Sequence, residues 1–198
     1  MNGALSLVTA ASAEPVLCAD AKTHMNIASA FTADDTYIAA LLAAAKDQVE
    51  DLCSIRLITQ TWKWTLDAFP TERSLTIPLA PLASVTSIKY TNSAGVQATI
   101  AATDYIVDSV NQPGRIVLKD SASWPTATLQ AANGVEITFV CGYGAAGSNC
   151  PARLIQAIKF LTAYWYENRE SVVGSSFDFK QLPDTFNALI AQFKMRPI

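Results

Sequence analysis

The spacing of apolar residues changes twice along this chain, and those changes limit the folds open to it. Between Thr32 and Leu52 the positions Ile38, Leu41, Leu42, Ala45, Val49 and Leu52 recur every three or four residues, the stripe of a helix with one buried face. From about 56 to 142 the period drops to two: Ile58, Trp62, Trp64 and Leu66 fall among Thr59, Thr61, Lys63 and Thr65, as in a strand with one face covered. After Pro151 the helical spacing returns through Leu154, Ile155, Ile158, Leu161, Thr162 and Trp165. Close-set strands without intervening helices argue against a doubly wound parallel sheet. The expected class is α+β, a small α-helical bundle of N- and C-terminal helices with an inserted antiparallel β-rich region.

The boundaries follow from the same pattern. Residues 1–18 read as an extended N-terminal arm, 19–55 and 150–170 as the bundle core, 56–149 as the β-rich insertion, and 171–198 as a mobile linker with a short last helix. A short helix is expected over 19–25. The longer one opens near Thr32, whose hydroxyl can cap it while Asp35 puts acid in the first turn. Ala39, Ala40, Ala43 and Ala44 make that helix thin. Strands are predicted around Leu75, Ile77 and Leu79, with Pro78 marking an edge, and over 85–90, 105–107, 115–118 and 135–141. Turn signals at 92–95, 111–114 and 133–134 suggest an antiparallel meander. Phe160 and Tyr164 add apolar groups to the far side of the helix after Pro151, which predicts burial nearly all round.

Composition narrows the function. Apolar residues are 51% of the chain, 32 of them alanines, and only 16% are charged, against a usual ~25%. A surface so poor in charge fits contact with other protein. The net charge is −3, with a pI near 5.1, which argues against gripping phosphate backbones. The charge is also polarised: residues 1–52 carry two basic and seven acidic side chains, 53–149 six of each, and 150–198 six basic and four acidic. Such asymmetry suits head-to-tail self-association as well as chance variation. No run approaches the ~18 apolar residues of a membrane span. The N-terminus lacks the basic start of a secretory signal, so synthesis in the cytoplasm is expected.

Chemistry-bearing patterns are sparse. Gly142-Tyr143-Gly144-Ala145-Ala146-Gly147 matches a dinucleotide-binding GxGxxG between strand and helix. The helix cannot start before about Pro151, however, and the acid required some twenty residues on lies in a helix. A flexible glycine loop is the plainer reading. Cys18, Cys53, Cys141 and Cys150 form no CxxC pair and His24 is the only histidine, so neither a zinc site nor a nucleophile with its base is expected. Cys141 and Cys150 flank one short loop and could come close. Asp34/Asp35, Glu50/Asp51 and Glu167/Glu170 read as solvated helix ends, and Trp62, Trp64, Trp124 and Trp165 as core. No catalytic, cofactor or metal residue is expected.

Several segments together carry a resemblance. They are Ala19-Asp20-Ala21-Lys22-Thr23-His24-Met25, Val49-Glu50-Asp51-Leu52 closing the alanine-rich helix, Leu57-Ile58-Thr59-Gln60-Thr61-Trp62, and Pro81-Leu82-Ala83-Ser84-Val85-Thr86-Ser87-Ile88. Asp104-Tyr105, Cys141-Gly142-Tyr143-Gly144 before Pro151, and Trp165-Tyr166-Glu167-Asn168-Arg169-Glu170 complete the series. Their order and spacing, over about 14–170, resemble the head–tail connector (adaptor) proteins of tailed double-stranded-DNA bacteriophages and gene transfer agents. Cys141 and Cys150 depart from the small or β-branched residues expected there. The resemblance implies a structural virion protein of the head–tail interface and no enzyme. It would form a homo-oligomeric ring, usually of twelve, under the portal protein, extend the DNA channel and present a platform to the stopper or tail-completion protein. The alternatives are another tail-completion component, or a monomeric small-molecule-binding or enzymatic domain using the glycine loop.

Two contact elements are expected on that reading. The last helix carries Phe186, Leu189, Ile190 and Phe193, with basic Lys194 and Arg196; it either orders on a partner such as the portal or folds back on its own core. On the alanine-rich helix, Asp47, Glu50 and Asp51 are expected to be exposed and to meet Lys159 or Arg169 of a neighbouring subunit.

Overall fold

The computed structural model describes residues 3–169 and 184–195. The chain divides into two compact units, Met1–Ser12 with Ile58–Ala145, and Ala13–Leu57 with Ala146–Ile198. Strands belong to the first and helices to the second, and all sheet pairing is antiparallel. The α+β class holds. The linker at 171–181 and Arg196 lie outside the described residues.

In the first unit the strands are β1 (Ala4–Thr9), β2 (Gln60–Leu66), β3 (Ser74–Thr76), β4 (Leu82–Thr91), β5 (Gln97–Thr99), β6 (Tyr105–Asp108), β7 (Arg115–Leu118) and β8 (Val135–Cys141). They make a five-stranded sheet in the order β1-β2-β8-β4-β5 and a three-stranded one in the order β3-β7-β6. Two expectations change here. The N-terminal segment expected as an arm is instead β1, an edge strand paired from Ala4 to Thr9 with β2. Nor is the large sheet a simple meander, because β8 inserts between β2 and β4. That place suits β8: Val135, Ile137, Phe139 and Cys141 are buried on one face, so it forms the centre of the core. Trp64, Leu66, Leu75, Ile77, Leu82, Ile88, Ile116 and Leu118 pack in the same cluster. β3 is shorter than the run to Leu79 suggested, and it lies at an edge, as Pro78 required. β5 had no sequence signal beyond the turn before it. That turn is set by Asn92, whose Oδ1 accepts from the Ala94 and Val96 amides at 3.0 and 2.9 Å, and by Gly95 at φ +79°.

The second unit holds α1 (Cys18–His24), α2 (Asp35–Cys53), α3 (Ala152–Glu167) and α4 (Asp184–Ile190). α2 starts at Asp35 with Asp34 as its cap residue, not at Thr32. Its buried stripe is Ile38, Leu42, Ala45, Val49 and Cys53. Leu52 turns outward, because a helix of 3.6 residues per turn carries the face to Cys53 instead. The helix stops where Ser54 takes a left-handed conformation, φ 53°. α3 buries Leu154, Ala157, Ile158, Leu161 and Thr162 but leaves Tyr164 exposed and Phe160 half-buried. The expectation of burial all round is therefore corrected to one face. Ala45 and Ala157 are both fully buried, and α2 packs on α3.

Candidate assembly surfaces

The C-terminal element shows which of its residues are free to contact anything else. Phe186 and Ile190 are fully buried, in a helix that packs on α3. Cys53 and Ile190 help to seat it: the Cys53 thiol lies 4.0 Å from the Ile190 carbonyl, and the Met195 amide donates to the Cys53 carbonyl at 3.4 Å. Arg153 adds a 2.9 Å hydrogen bond to Gln192. This is the fold-back alternative, and it removes Phe186 and Ile190 from any partner surface. Leu189 and Phe193 are half-buried and Lys194 is exposed.

The acidic set on α2 divides in the same way. Asp47 and Asp51 are exposed, but Glu50 is buried. It serves its own unit: Oε1 accepts the Leu57 amide at 2.8 Å and Oε2 lies 3.7 Å from Arg56 Nε. Burial raises its pKa, against the opposing pull of the Leu57 amide and Arg56. The spacing of Glu50 and Asp51 looked like an exposed helix end, but the chain turns at Ser54 and lays 55–57 back over Glu50. Asp51 reaches Arg56 Nη1 at 3.6 Å.

Arg169, expected to face a neighbour, is held within the unit. Its Nη2 meets Asp34 Oδ2 at 2.6 Å, and its guanidinium stacks 4.8 Å from the Tyr37 ring centre and 4.5 Å from that of Tyr166. The Tyr166 hydroxyl donates to the same Asp34 oxygen at 2.6 Å. These bonds hold the Asp34 pKa below the usual carboxylate range, the tyrosine contributing most, and raise that of Tyr166. Nothing in the local sequence pairs position 34 with positions 132 and 135 residues later. Of the five expected subunit-contact residues, Asp47, Asp51, Arg169 and half-exposed Lys159 remain at the surface, Arg169 while paired to Asp34 of its own unit. Asp47 and Lys159 make no salt bridge among the described residues.

A second buried charge fixes the loop between α1 and α2. Lys22, 5% exposed, donates to Asp35 Oδ1 at 2.8 Å and to the Ser29 carbonyl at 3.1 Å. Lys22 and Asp35 line a groove with Cys18, Thr23, Asn26 and Ile27. Leu17 and Phe31 are exposed apolar residues on the same unit.

The glycines of the GxGxxG match are packed against backbone. Gly142 has φ +130°, and a Cβ there would lie 2.6 Å from the Thr59 nitrogen. Its amide donates to the Pro81 carbonyl, and the Gly144 carbonyl accepts from the Thr59 amide. In the helical unit, a Cβ on Gly147 would collide with the Pro15 carbonyl. Close main-chain approach thus accounts for Gly142 and Gly147. All four cysteines are free thiols. Cys141 lies in β8 of the strand unit and Cys150 in the helical unit. Burial pushes the thiols of Cys53 and Cys150 up to about 11, which makes them inert core groups. Among the described residues no helix is long and apolar enough to cross a membrane.

Comparison with curated proteins gives no match. Solved structures do match over nearly the whole length. A chain of the "Neck of empty GTA particle computed with C6 symmetry" superposes with a TM-score of 0.81 at 26% identity, covering 98% of this chain and 97% of that one. A chain of the "Virion of native gene transfer agent (GTA) particle" gives 0.79 at 26%, covering 98% and 96%. One from the "Neck of native GTA particle computed with C12 symmetry" gives 0.76 at 28%, covering 98% and 97%. The model of the family described as "Head completion protein" matches residues 18–194, taking in both units, and the chain belongs to that head completion protein family.

Proposed function

We propose that this chain is a head–tail adaptor, a structural subunit that assembles as a ring in the virion neck between the portal and the stopper or tail. The observation that carries the reading is the match to neck chains over 98% of this sequence, with strand and helical units in the same chain. The C12 and C6 symmetries of those necks support a ring of identical copies, and twelve is the number proposed. The surface fits such a role: charge is scarce, apolar side chains such as Leu17, Phe31 and Tyr164 are exposed, and the acidic balance avoids holding DNA that must slide past.

On this reading the helical unit supplies subunit contacts through Asp47 and Asp51 on α2 and Lys159 on α3. Lys194, with half-buried Leu189 and Phe193, is the part of the C-terminal element left for the portal. The expected test is the mass of the purified chain over a concentration series, with negative-stain imaging alone and with portal protein. Rings in either sample support the adaptor reading, whereas a monomer indifferent to portal refutes it. Asp47→Lys should weaken the rings, and unchanged assembly would remove Asp47 from the interface. Lys194→Glu should reduce portal binding without affecting the fold.

A further inference from the structure

Among the described residues the large sheet ends in two open edges, and they share a property that the other sheet edges lack. All six residues of β1 are exposed, including Leu5 (38%), Leu7 (49%) and Val8 (55%). Outside the ladder to β2, no backbone hydrogen bond among the described residues involves positions 4–9. The same holds for positions 97–99 of β5 beyond β4. Solitary proteins protect such edges with charge, proline, bulges or a covering element. Residues 3–12 contain no charge and no proline, and neither do residues 91–103. A register shift between Leu7 and Thr9 leaves Ala4–Leu7 regularly paired. The small sheet is guarded differently. Its edge β3 is flanked by Glu72, Arg73 and Pro78, and its edge β6 by Asp104 and contains Asp108. Docking β1 on either of those would take charges out of water.

We infer that the β1 edge of one copy receives the β5 edge of the next, so that neighbouring subunits share a continuous sheet. This rests on the ring reading above. Strand addition would satisfy the open main-chain donors and acceptors of both edges, uncharged segment against uncharged segment. The topology also distinguishes the possible joints. With each neighbour antiparallel in the order β1-β2-β8-β4-β5, β1 and β5 run in the same direction. A ring of copies with strands along its axis therefore joins β5 to β1 in parallel. A two-fold dimer through β1 alone would be antiparallel. Because the two edges are different surfaces of one copy, the contact is head-to-tail, the type that closes into rings.

The test uses the full chain, in rings formed alone or on portal protein. Ser6→Cys combined with Gln97→Cys, treated with a short bis-maleimide, should give a ladder of covalent multimers, whereas Ser6→Cys alone should give none beyond the native-thiol background. A ladder supports the joint. No ladder from assembled rings, or dimers from Ser6→Cys alone, overturns it. Leu5→Lys with Leu7→Lys changes only exposed side chains, so the subunit should keep its circular dichroism while the joint weakens about tenfold or more. If the native chain forms rings and this variant forms them equally well, the inference fails and the adaptor reading stands. If the native chain forms no ring even with portal, both fail.

Discussion

Replacing Phe186 by alanine tests whether the last helix belongs to the subunit core in solution. Phe186 is fully buried, as is Ile190 one turn on. Returning a buried aromatic side chain to water costs about 1.5–3 kcal/mol, and the unfilled space brings large-to-small substitutions of this kind to about 3–5 kcal/mol. α4 has only seven residues, too few to persist as a helix without its packing. Its loss should therefore appear first as undocking. The assay is urea unfolding followed at 222 nm, with hydrogen exchange read on the Asp184–Ile190 amides. Phe186→Ala should either lower the unfolding free energy by about 3–5 kcal/mol or abolish protection of α4 while the rest stays protected. Ile190→Val should cost about 1 kcal/mol. A Phe186→Ala protein with unchanged urea stability and unchanged α4 exchange would refute the docked helix, and would return Phe186 and Ile190 to the candidate portal surface.

Further expectations concern buried charge, exposed charge and backbone. Glu50 has a folded pKa raised by burial; across the window above the unfolded glutamate value of about 4.3 the folded state holds the proton more tightly, so native stability should fall as pH rises. Glu50→Gln should flatten that slope, and Glu50→Ala should cost about 1–3 kcal/mol by orphaning the Leu57 amide, both read from urea melts at several pH values. Asp34 has the opposite sign. Its pKa is lowered, so its stabilisation is present above the unfolded aspartate value near 3.9 and lost as pH falls through the folded one. The stability difference between the native protein and Asp34→Asn should accordingly vanish in acid; a difference that persists would refute the Asp34–Tyr166–Arg169 cluster. Gly142→Ala should destabilise the strand unit by about 2–4 kcal/mol, since it forces a side chain onto a left-handed backbone against main chain, and thermal melting of the purified protein would reveal it.

What the sequence determined by itself was periodic or local. The buried run Ile38, Leu42, Ala45 and Val49 was legible because a helix repeats its own face, and β8 because its alternate residues are apolar over seven positions. The order of family-like segments from Ala19 to Glu170 carried the function further than any single motif did. The tertiary structure decided everything that depends on residues distant in the chain. β1 was read as an arm because a strand of uncharged residues has no signal for its partner, and only the pairing with β2 makes it an edge. Glu50 and Asp51 look alike in sequence, yet the turn at Ser54 buries one and leaves the other in water. Arg169 looked free because its acid lies 135 residues away. Phe186 fitted a partner surface and a core equally well, because amphipathic spacing specifies that a face must be covered and not what covers it. Local periodicity fixes which side of an element avoids water. Long-range packing alone chooses the neighbour that side meets.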